Sequence, residues 1–527
     1  MSEGAEPVIQ PHPTVRAVMR ERSALGLSFL GGLFYWLGFA TKESWPAGLA
    51  VFAFVSFVPL LIALRGRTGW RAIRLGWLFG TVACTGGFYW ITEMLKTFSG
   101  FPMALCIVFS LFLWAGTGII FAVFAWIIAR SDARDVPRLV SVPLALAASE
   151  MVVPVLFPWY TANSLHRFPV LFQTADLGGV LLVSAALGLG CAAISEAFVR
   201  AGDWKTRLRP LVYPLAFWAF AIPYGVWRIG QVDAVNRDPH TRSLKVGIVQ
   251  QNLGLMQKRH EPMVALVRHL AASHELERQN VDLIVWAESA LAYRIPENIT
   301  NIRQYIDIWD LHTPVLFGAL SIRGGDDRPR YYNTAFMTDA SGHIVGTYDK
   351  VYLLAFGEYI PLGDVFPAVY EISRNSGHFT RGESLRAVPV PGGTVAPLIC
   401  YEDVLPRYVR DFQRAANPDL LAVILNDAWF GDTAEPWIHN ALAKFRAVEH
   451  RRDLIRSANA GVSSIIDAAG RHVAHGGTFR RENVVGRVHL RQGNTVYYYL
   501  GDWIGWAGVL LALYAFAPQR WVRRKSA

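Results

Sequence analysis

At 527 residues, 52% hydrophobic and only 17% charged, the chain is too apolar and too poor in charge for an ordinary soluble globular protein. Its formal net charge of +10 raises the question of nucleic acid, yet the basic residues fall at the ends of apolar runs rather than in one patch. RWVRRK directly follows the last such run, the pattern of a topology signal that also touches anionic lipid, so no nucleic-acid binding is expected.

Residues 1–23 precede the first apolar run. Runs of the length a bilayer helix needs, roughly 20 residues, follow at 24–40, 46–64, 75–92, 102–129, 139–157, 169–198 and 211–229, and another occupies 500–517. The run 169–198 is long enough for its first third to lie along the interface. No small-residue cleavage site closes the first run, and another span begins almost at once, so no removable signal peptide is expected. Arginine and lysine set the orientation. One set of segments holds Arg16, Arg20, Arg22, Arg65, Arg67, Arg71 and Arg74, continues with Arg130, Arg134, Arg138, Arg200, Lys205, Arg207 and Arg209, and closes with Arg520, Arg523, Arg524 and Lys525. The alternate loops hold only Lys42, Lys96 and Arg167. Both termini, including the basic tail 518–527, are therefore expected in the cytoplasm. The span region 24–229 would deliver a domain at 230–499 to the outer face, and 500–517 would return the chain. Glu150, Asp176 and Glu196 lie within the spans with no obvious basic partner in another span; a transporter would use such groups as a path, and helix packing is the plainer account.

In the outer domain, LKVGIVQQN (244–252), DLIVWAES (282–289), PVLFGAL (314–320), NTAFMTD (333–339) and HIVGTYDK (343–350) read as strands. So do VAPLICYE (395–402), LLAVILNDAWFG (420–431), VSSIIDA (462–468) and NVVGRVHL (483–490), while 262–279 and 434–458 carry helical spacing. Strands this apolar are buried on both faces, so helices should cover the sheets. Glu288, Lys350 and Cys400 all sit at the carboxyl ends of strands, where ligands gather in such folds.

Cys84, Cys106 and Cys191 lie in apolar runs, which leaves Cys400 as the outer domain's one thiol, with no internal disulfide partner. Such a thiol is either an inert small hydrophobe or a nucleophile, and cysteine chemistry alone leaves both open. A carboxylate can activate it, and an ammonium can steady an oxyanion, so Glu288, Lys350 and Cys400 suffice for acyl transfer through a thioester. Taken singly, Glu288 could equally cap a turn and Lys350 could be a solvated strand end. His378 and His439 read as loop and helix-face residues, and no His/Cys/Glu group has metal-ligand spacing, so neither a metal nor another cofactor is expected.

LIVWAES, YDKVYLLAFGEYIP and LICYEDVLP resemble the Glu–Lys–Cys triad of the nitrilase (carbon-nitrogen hydrolase) superfamily, and LNDAWFG followed by FRAVEHRR adds to the likeness. With spans on both sides, nearly the whole chain resembles its membrane-embedded branch, the apolipoprotein N-acyltransferases. The resemblance implies a multi-pass α-helical membrane domain plus an α/β domain, an αββα sandwich. It implies a bacterial inner-membrane enzyme, with its catalytic domain on the periplasmic face, that moves a fatty acyl group from a phospholipid, usually the sn-1 chain of phosphatidylethanolamine. The acceptor would be the α-amine of diacylglyceryl-cysteine in an apolipoprotein. In that scheme Cys400 is the nucleophile, Glu288 the base, and Lys350 supports the oxyanion with the Tyr401 backbone N–H. Glu358 would hold Lys350 and Cys400 in register, Glu402 would line the site, and Tyr401 and Trp429 would frame lipid groups. Ala287 and Ala355 stand where the family often has proline, and Arg259 where many members carry an aromatic residue. The stretch 353–372 suits an interfacial lid in which Phe356, Phe366 and Tyr370 guide acyl chains or else fill a local core. A membrane-tethered amidase or nitrilase-type hydrolase is the alternative with the same triad. Nothing demands more than a monomer.

Overall fold

The computed structural model describes residues 19–39, 42–254, 260–324, 329–355, 357–360 and 377–518. Arg259, Phe356, Phe366 and Tyr370 lie outside them, so the lid expected at 353–372 is for the most part not described.

Every apolar run becomes helical. The helices are α1 (Glu21–Gly38), α2 (Val58–Ala63, after a 3-10 stretch Ala47–Phe54), α3 (Gly69–Gly87), α4 (Ile91–Ser99), α5 (Met103–Thr117) and α6 (Ile119–Asp132). They continue with α7 (Arg138–Val152), α8 (Ala175–Val199) and α9 (Val212–Arg237). Among the described residues, three helical stretches are long and apolar enough to cross a bilayer: Met103–Asp132, Ala175–Val199 and Trp204–Arg237. Helices α1 and α3, at 18 and 19 residues, are long enough but less apolar, and α7 stops at Val152, two residues before Pro154. Leu111, Phe112, Leu215 and Val226 face outward and are exposed, the inverse of a soluble surface and the form a lipid-facing one takes. Small residues bring the helices together. A Cβ on Gly76 would come within 2.1 Å of the Phe121 carbonyl, so α3 and α6 touch backbone to backbone there.

The acidic groups of this region are better partnered than the sequence reading expects. Asp176 accepts from Arg228 of α9 at 2.7 Å, from Arg451 at 2.6 Å and from the Tyr224 hydroxyl at 2.8 Å. Glu196 pairs with Arg65, and Glu150 accepts from the Thr161 N–H at 2.8 Å. The basic partners of Asp176 and Glu196 lie far apart from them in sequence, and Glu150 is met by an uncharged N–H, which is why a scan for nearby charges misses them.

Between α9 and the last helix, the chain folds into two mixed sheets. The first has the order β13-β1-β2-β4-β5-β6, with β3 also paired to β4. Its strands are β1 (Ser243–Gln250), β2 (Leu283–Trp286), β3 (Leu291–Pro296), β4 (Val315–Arg323), β5 (Arg330–Thr338), β6 (Ile344–Asp349) and β13 (Glu482–His489). The second runs β12-β11-β10-β9-β8-β7 and contains β7 (Val388–Val390), β8 (Gly393–Ile399), β9 (Leu420–Leu425), β10 (Leu454–Ala458), β11 (Ser464–Ile466) and β12 (His472–His475). The central strands β1, β2 and β4 are parallel, as are β8, β9 and β10, and β2 and β9 are buried along their whole length. The sheets share one apolar core, and the Ser457 hydroxyl of β10 donates to the Val285 carbonyl of β2 across it at 3.2 Å. Helix α10 (Pro262–Glu277) covers the first sheet through Leu266, Leu270 and Leu276. Helices α11 (Pro406–Ala416) and α12 (Glu435–His450) cover the second, which completes the αββα sandwich. Helix α13 (Trp503–Phe516) then returns to the helical region.

The expected helix 434–458 is cut short. It ends at His450, with Arg451 in the left-handed region at φ 52°, and Leu454–Ala458 is strand β10. The polar run between them, Arg451-Arg452-Asp453, looks like a solvated helix face but is a set of internal staples. The Arg452 guanidinium donates to the Pro418 carbonyl at 2.6 Å, and Asp453 accepts from Arg491 at 2.7 Å. β3, β7 and β12 were also not expected from the sequence. All sixteen residues of α12 are buried, because its far side meets the helical region; Phe445 stacks on Phe172 at 4.6 Å.

Candidate active site

The parallel strands of each sheet deliver their carboxyl ends to one edge of the sandwich. Two residues beyond β2 stands Glu288, one beyond β6 stands Lys350, and immediately after β8 stands Cys400. The backbone is special at two of these places. Cys400 has φ 53° and Ser289 φ 49°, left-handed values that non-glycine residues adopt at a cost and that cluster at functional turns. Gly318 of β4 lies under the Glu288 turn: a Cβ there would meet the Ser289 nitrogen at 2.7 Å and the Glu288 Cα at 2.8 Å.

Lys350 is 2% exposed, and its Nζ lies 2.7 Å from Glu358 Oε2 and 3.7 Å from Glu288 Oε1. Burial alone would lower its pKa, but the charges of Glu358 and then Glu288 outweigh it, so the ammonium is held above its usual range. The sequence reading missed Asn333 of β5, whose Nδ2 donates to Glu288 Oε1 at 2.7 Å and to Glu358 Oε1 at 2.9 Å. Glu358 Oε2 also accepts from the Leu354 N–H at 2.9 Å. Two carboxylates thus converge on one ammonium, with an amide bridging them.

Cys400 opens a 3-10 turn, Cys400–Val404. Burial, with Glu288 adding to it, pushes its pKa well above the usual thiol value, while Lys350 pulls the other way. At rest the sulfur is a thiol, and it becomes a nucleophile only when a neighbouring base takes the proton. Glu402 does not line the site as expected. It is fully buried, and Oε1 accepts from the Val351 and Tyr352 N–H groups at 2.8 and 3.0 Å and from the Tyr348 and Tyr408 hydroxyls. Its Oε2 takes the Ile399 N–H at 2.9 Å, so one carboxyl group ties the Cys400 turn to the segment after Lys350. Burial raises its pKa despite these donors.

Cys400 faces a narrow apolar cavity walled by Phe88, Trp90 and Phe157 of the helical region together with Leu354, Tyr401 and Phe430. Trp90 packs edge-on against Phe157 at 5.1 Å and Phe430 at 5.2 Å, and the Tyr401 hydroxyl donates to the Leu156 carbonyl at 2.6 Å. Trp429, expected to frame lipid, is partly buried and packs against the same apolar cluster; its neighbour Phe430 is the one that lines the cavity. The FYW at 88–90 and FPWY at 157–160 were the available signals, indistinguishable in sequence from other membrane aromatics.

On the far wall, His439 is not the bland helix-face residue expected. It is buried, with Nε2 2.7 Å from Asp403 and Nδ1 3.2 Å from Asp427; Arg456 lies 3.8 and 3.5 Å from the same two carboxylates. Burial would lower its pKa, but Asp403 and Asp427 raise it to about 10, against the opposing charge of Arg456. Asp427, Glu435 and His439 lie close enough to hold a cation. An imidazolium donating from both nitrogens, however, offers no lone pair, and Arg456 already supplies the positive charge.

The chain matches the family description "Apolipoprotein N-acyltransferase N-terminal domain" over residues 31–193 and "Carbon-nitrogen hydrolase" over residues 245–496. The apolipoprotein N-acyltransferase of Geobacter metallireducens is 30% identical over 477 residues, covering 88% of this chain and 90% of that one. That of Azotobacter vinelandii is 30% identical over 515 residues, 94% of each. Among solved structures, an amidase from Nesterenkonia sp. AN1 is 19% identical with a TM-score of 0.35, covering 50% of this chain and 95% of that one.

Proposed function

Because the chain belongs to the apolipoprotein N-acyltransferase family, we propose that it carries a phospholipid acyl group on Cys400 and hands it to the α-amine of an apolipoprotein's diacylglyceryl-cysteine. The supporting observation is the meeting of Glu288, Lys350 and Glu358 at the strand ends beside a thiol that opens onto an apolar, aromatic cavity. The cavity measures only about 40 Å³, room for the reacting end of a substrate, and its largely aromatic lining suits the first carbons of an acyl chain better than the polar group of a soluble amide.

In the first half-reaction Glu288 takes the thiol proton as sulfur attacks the ester carbonyl. Lys350 and the Tyr401 backbone N–H stabilise the oxyanion, the C–O bond breaks, and Glu288 returns the proton to the departing lysophospholipid alkoxide. In the second, the neutral α-amine attacks the thioester, Glu288 accepts its proton, and sulfur leaves to be reprotonated. Glu358 and Asn333 hold Lys350 and Glu288 against each other, so the ammonium need not reorganise as charge develops. The aromatic wall excludes the water that would otherwise hydrolyse the thioester. The charge distribution of the loops supports a domain on the outer face of the bacterial inner membrane, in reach of both lipid-anchored substrates.

Purified protein incubated with phosphatidylethanolamine and a diacylglyceryl-cysteine peptide should yield triacylated peptide and lysophospholipid in equal amounts. Free fatty acid in place of the triacylated peptide would overturn this reading in favour of a hydrolase.

A further inference from the structure

Behind the Cys400 turn lies a second cavity, of about 420 Å³, where α11 meets α7, α8 and the start of α13. Its polar end holds Arg407, Arg410 and Asp502, and its apolar wall holds Val152, Leu181 and Trp506. Arg410 is fixed there, with its guanidinium donating to the carbonyls of Tyr497, Tyr498 and Tyr499 at 3.0 to 3.1 Å. Arg407 is exposed and makes no hydrogen bond or ion pair among the described residues. The one carboxylate in the cavity, Asp502, is engaged by the Tyr497 hydroxyl at 3.1 Å. Two guanidinium groups therefore face one carboxylate, which leaves a positive charge to be met.

The cavity does not end at that charge. Val152 also belongs to a groove of about 210 Å³ lined only by apolar side chains, among them Trp126, Ile127, Ala512 and Phe516, between α6, α7 and α13. Its far end is closed by Trp126 against Phe516 at 4.5 Å. From Asp502 to Phe516 a helix rises about 21 Å, enough to cross one leaflet of a roughly 30 Å hydrocarbon core. Leu513, which lines the groove, and Leu510, beside it on the same helix, are both exposed, so the track lies on the lipid-facing surface. A cationic pocket that shares the Val152 side chain with a neighbouring, wholly apolar groove has the two-part character of an amphiphile's binding site.

We propose that this track binds a phospholipid, its headgroup phosphate at Arg407 and Arg410 and one acyl chain in the groove between α6, α7 and α13, at a site separate from the Cys400 cavity. Segment 157–160 divides the two: Phe157 faces the Cys400 cavity and Tyr160 the second one. Pro406 places the headgroup pocket two residues beyond the turn that begins at Cys400. The occupant is an ordered membrane lipid that braces this wall, and no acyl group leaves it. The inference rests on the membrane setting of the helices and is independent of the thioester chemistry.

The test uses the full chain in non-ionic detergent, with phosphatidylglycerol as the probe and native mass spectrometry as the readout. The native protein and the Cys400→Ala variant should each retain one lipid. Arg407→Ala should lower retention about fivefold, Ala512→Trp should lower it by filling the groove, and millimolar inorganic phosphate should leave it unchanged. Retention equal to native in either the Arg407→Ala or the Ala512→Trp variant would overturn the proposal. So would displacement by phosphate alone, since the acyl groove would then contribute nothing. Retention of the intact lipid by Cys400→Ala together with its conversion to lysophospholipid and an acyl increment on the native chain would identify it as the acyl donor, which also overturns the proposal without touching the proposed function.

Discussion

Two groups of buried charge flank Cys400, and their compositions differ in the way that matters for chemistry. On one side Glu288 and Glu358 share a single cation, Lys350, with the uncharged Asn333 between them. On the other, Asp403 and Asp427 meet two cations, the His439 imidazolium and Arg456, and burial, with Asp427 adding to it, drives the pKa of Glu435 well above the carboxylate range. The first group has a carboxylate left over, so it can take up and return a proton. The second is balanced, and both nitrogens of its histidine are committed, so it can only hold strand ends together. Proximity to the sulfur is the same kind of fact for both groups; spare proton capacity is what separates them.

Removing the cation from the first group should have the largest effect. Lys350→Met takes away the proposed oxyanion stabiliser and leaves two carboxylates facing each other, and acyl transfer should fall by at least about 10²–10³-fold in an assay of triacylated peptide. Asp427→Asn attacks the second group instead. Breaking a buried pair leaves an uncompensated charge worth about 3–5 kcal/mol, so thermal unfolding in detergent should shift down strongly. If Asp427→Asn left stability intact and abolished only transfer, the division of labour would be wrong.

Gly318→Ala sharpens the contrast from beneath, since the added methyl overlaps the Glu288 turn. Overpacking of this kind costs about 1–3 kcal/mol. It should appear as slower transfer as well as lower stability, with lipid retention unchanged. The second group also makes a statement about pH. His439 holds its proton to about pH 10 in the folded protein against a reference value of 6.5. Below 6.5 both states are protonated and the contribution is complete. Between 6.5 and 10 the folded state keeps a proton the unfolded chain has released, so stability falls as pH rises through that window. Melting curves should show this decline in the native protein and a shallower one in His439→Gln. The smallest effect belongs to Glu435→Gln: the carboxyl is already neutral, so the amide should change stability by less than about 1 kcal/mol.

The strand-end residues were legible because each closes an apolar strand with a charge or a thiol, and FGEYIP marked Glu358. Asn333 was not legible, because in RYYNTAFMT it is one polar residue on a strand whose pairing decides where it points. Phe88, Trp90 and Phe157 were invisible for a different reason. They lie hundreds of residues before Cys400 in runs where aromatics are common, and only the docking of the two regions turns them into its wall. The helix expected to run through 454–458 failed because helical periodicity continues across a polar triplet that tertiary contacts convert into a turn. His439 failed similarly: a histidine on a helix face says nothing about what packs over that face, and here every face of α12 is covered.

The most direct measurement is the intact mass of the purified chain after brief exposure to phospholipid without an acceptor. The account predicts a single fatty-acyl increment on the native protein, lost on adding a diacylated peptide and absent from Cys400→Ala. An increment of the same size on both proteins would contradict it, because some group other than that sulfur would then be carrying the chain.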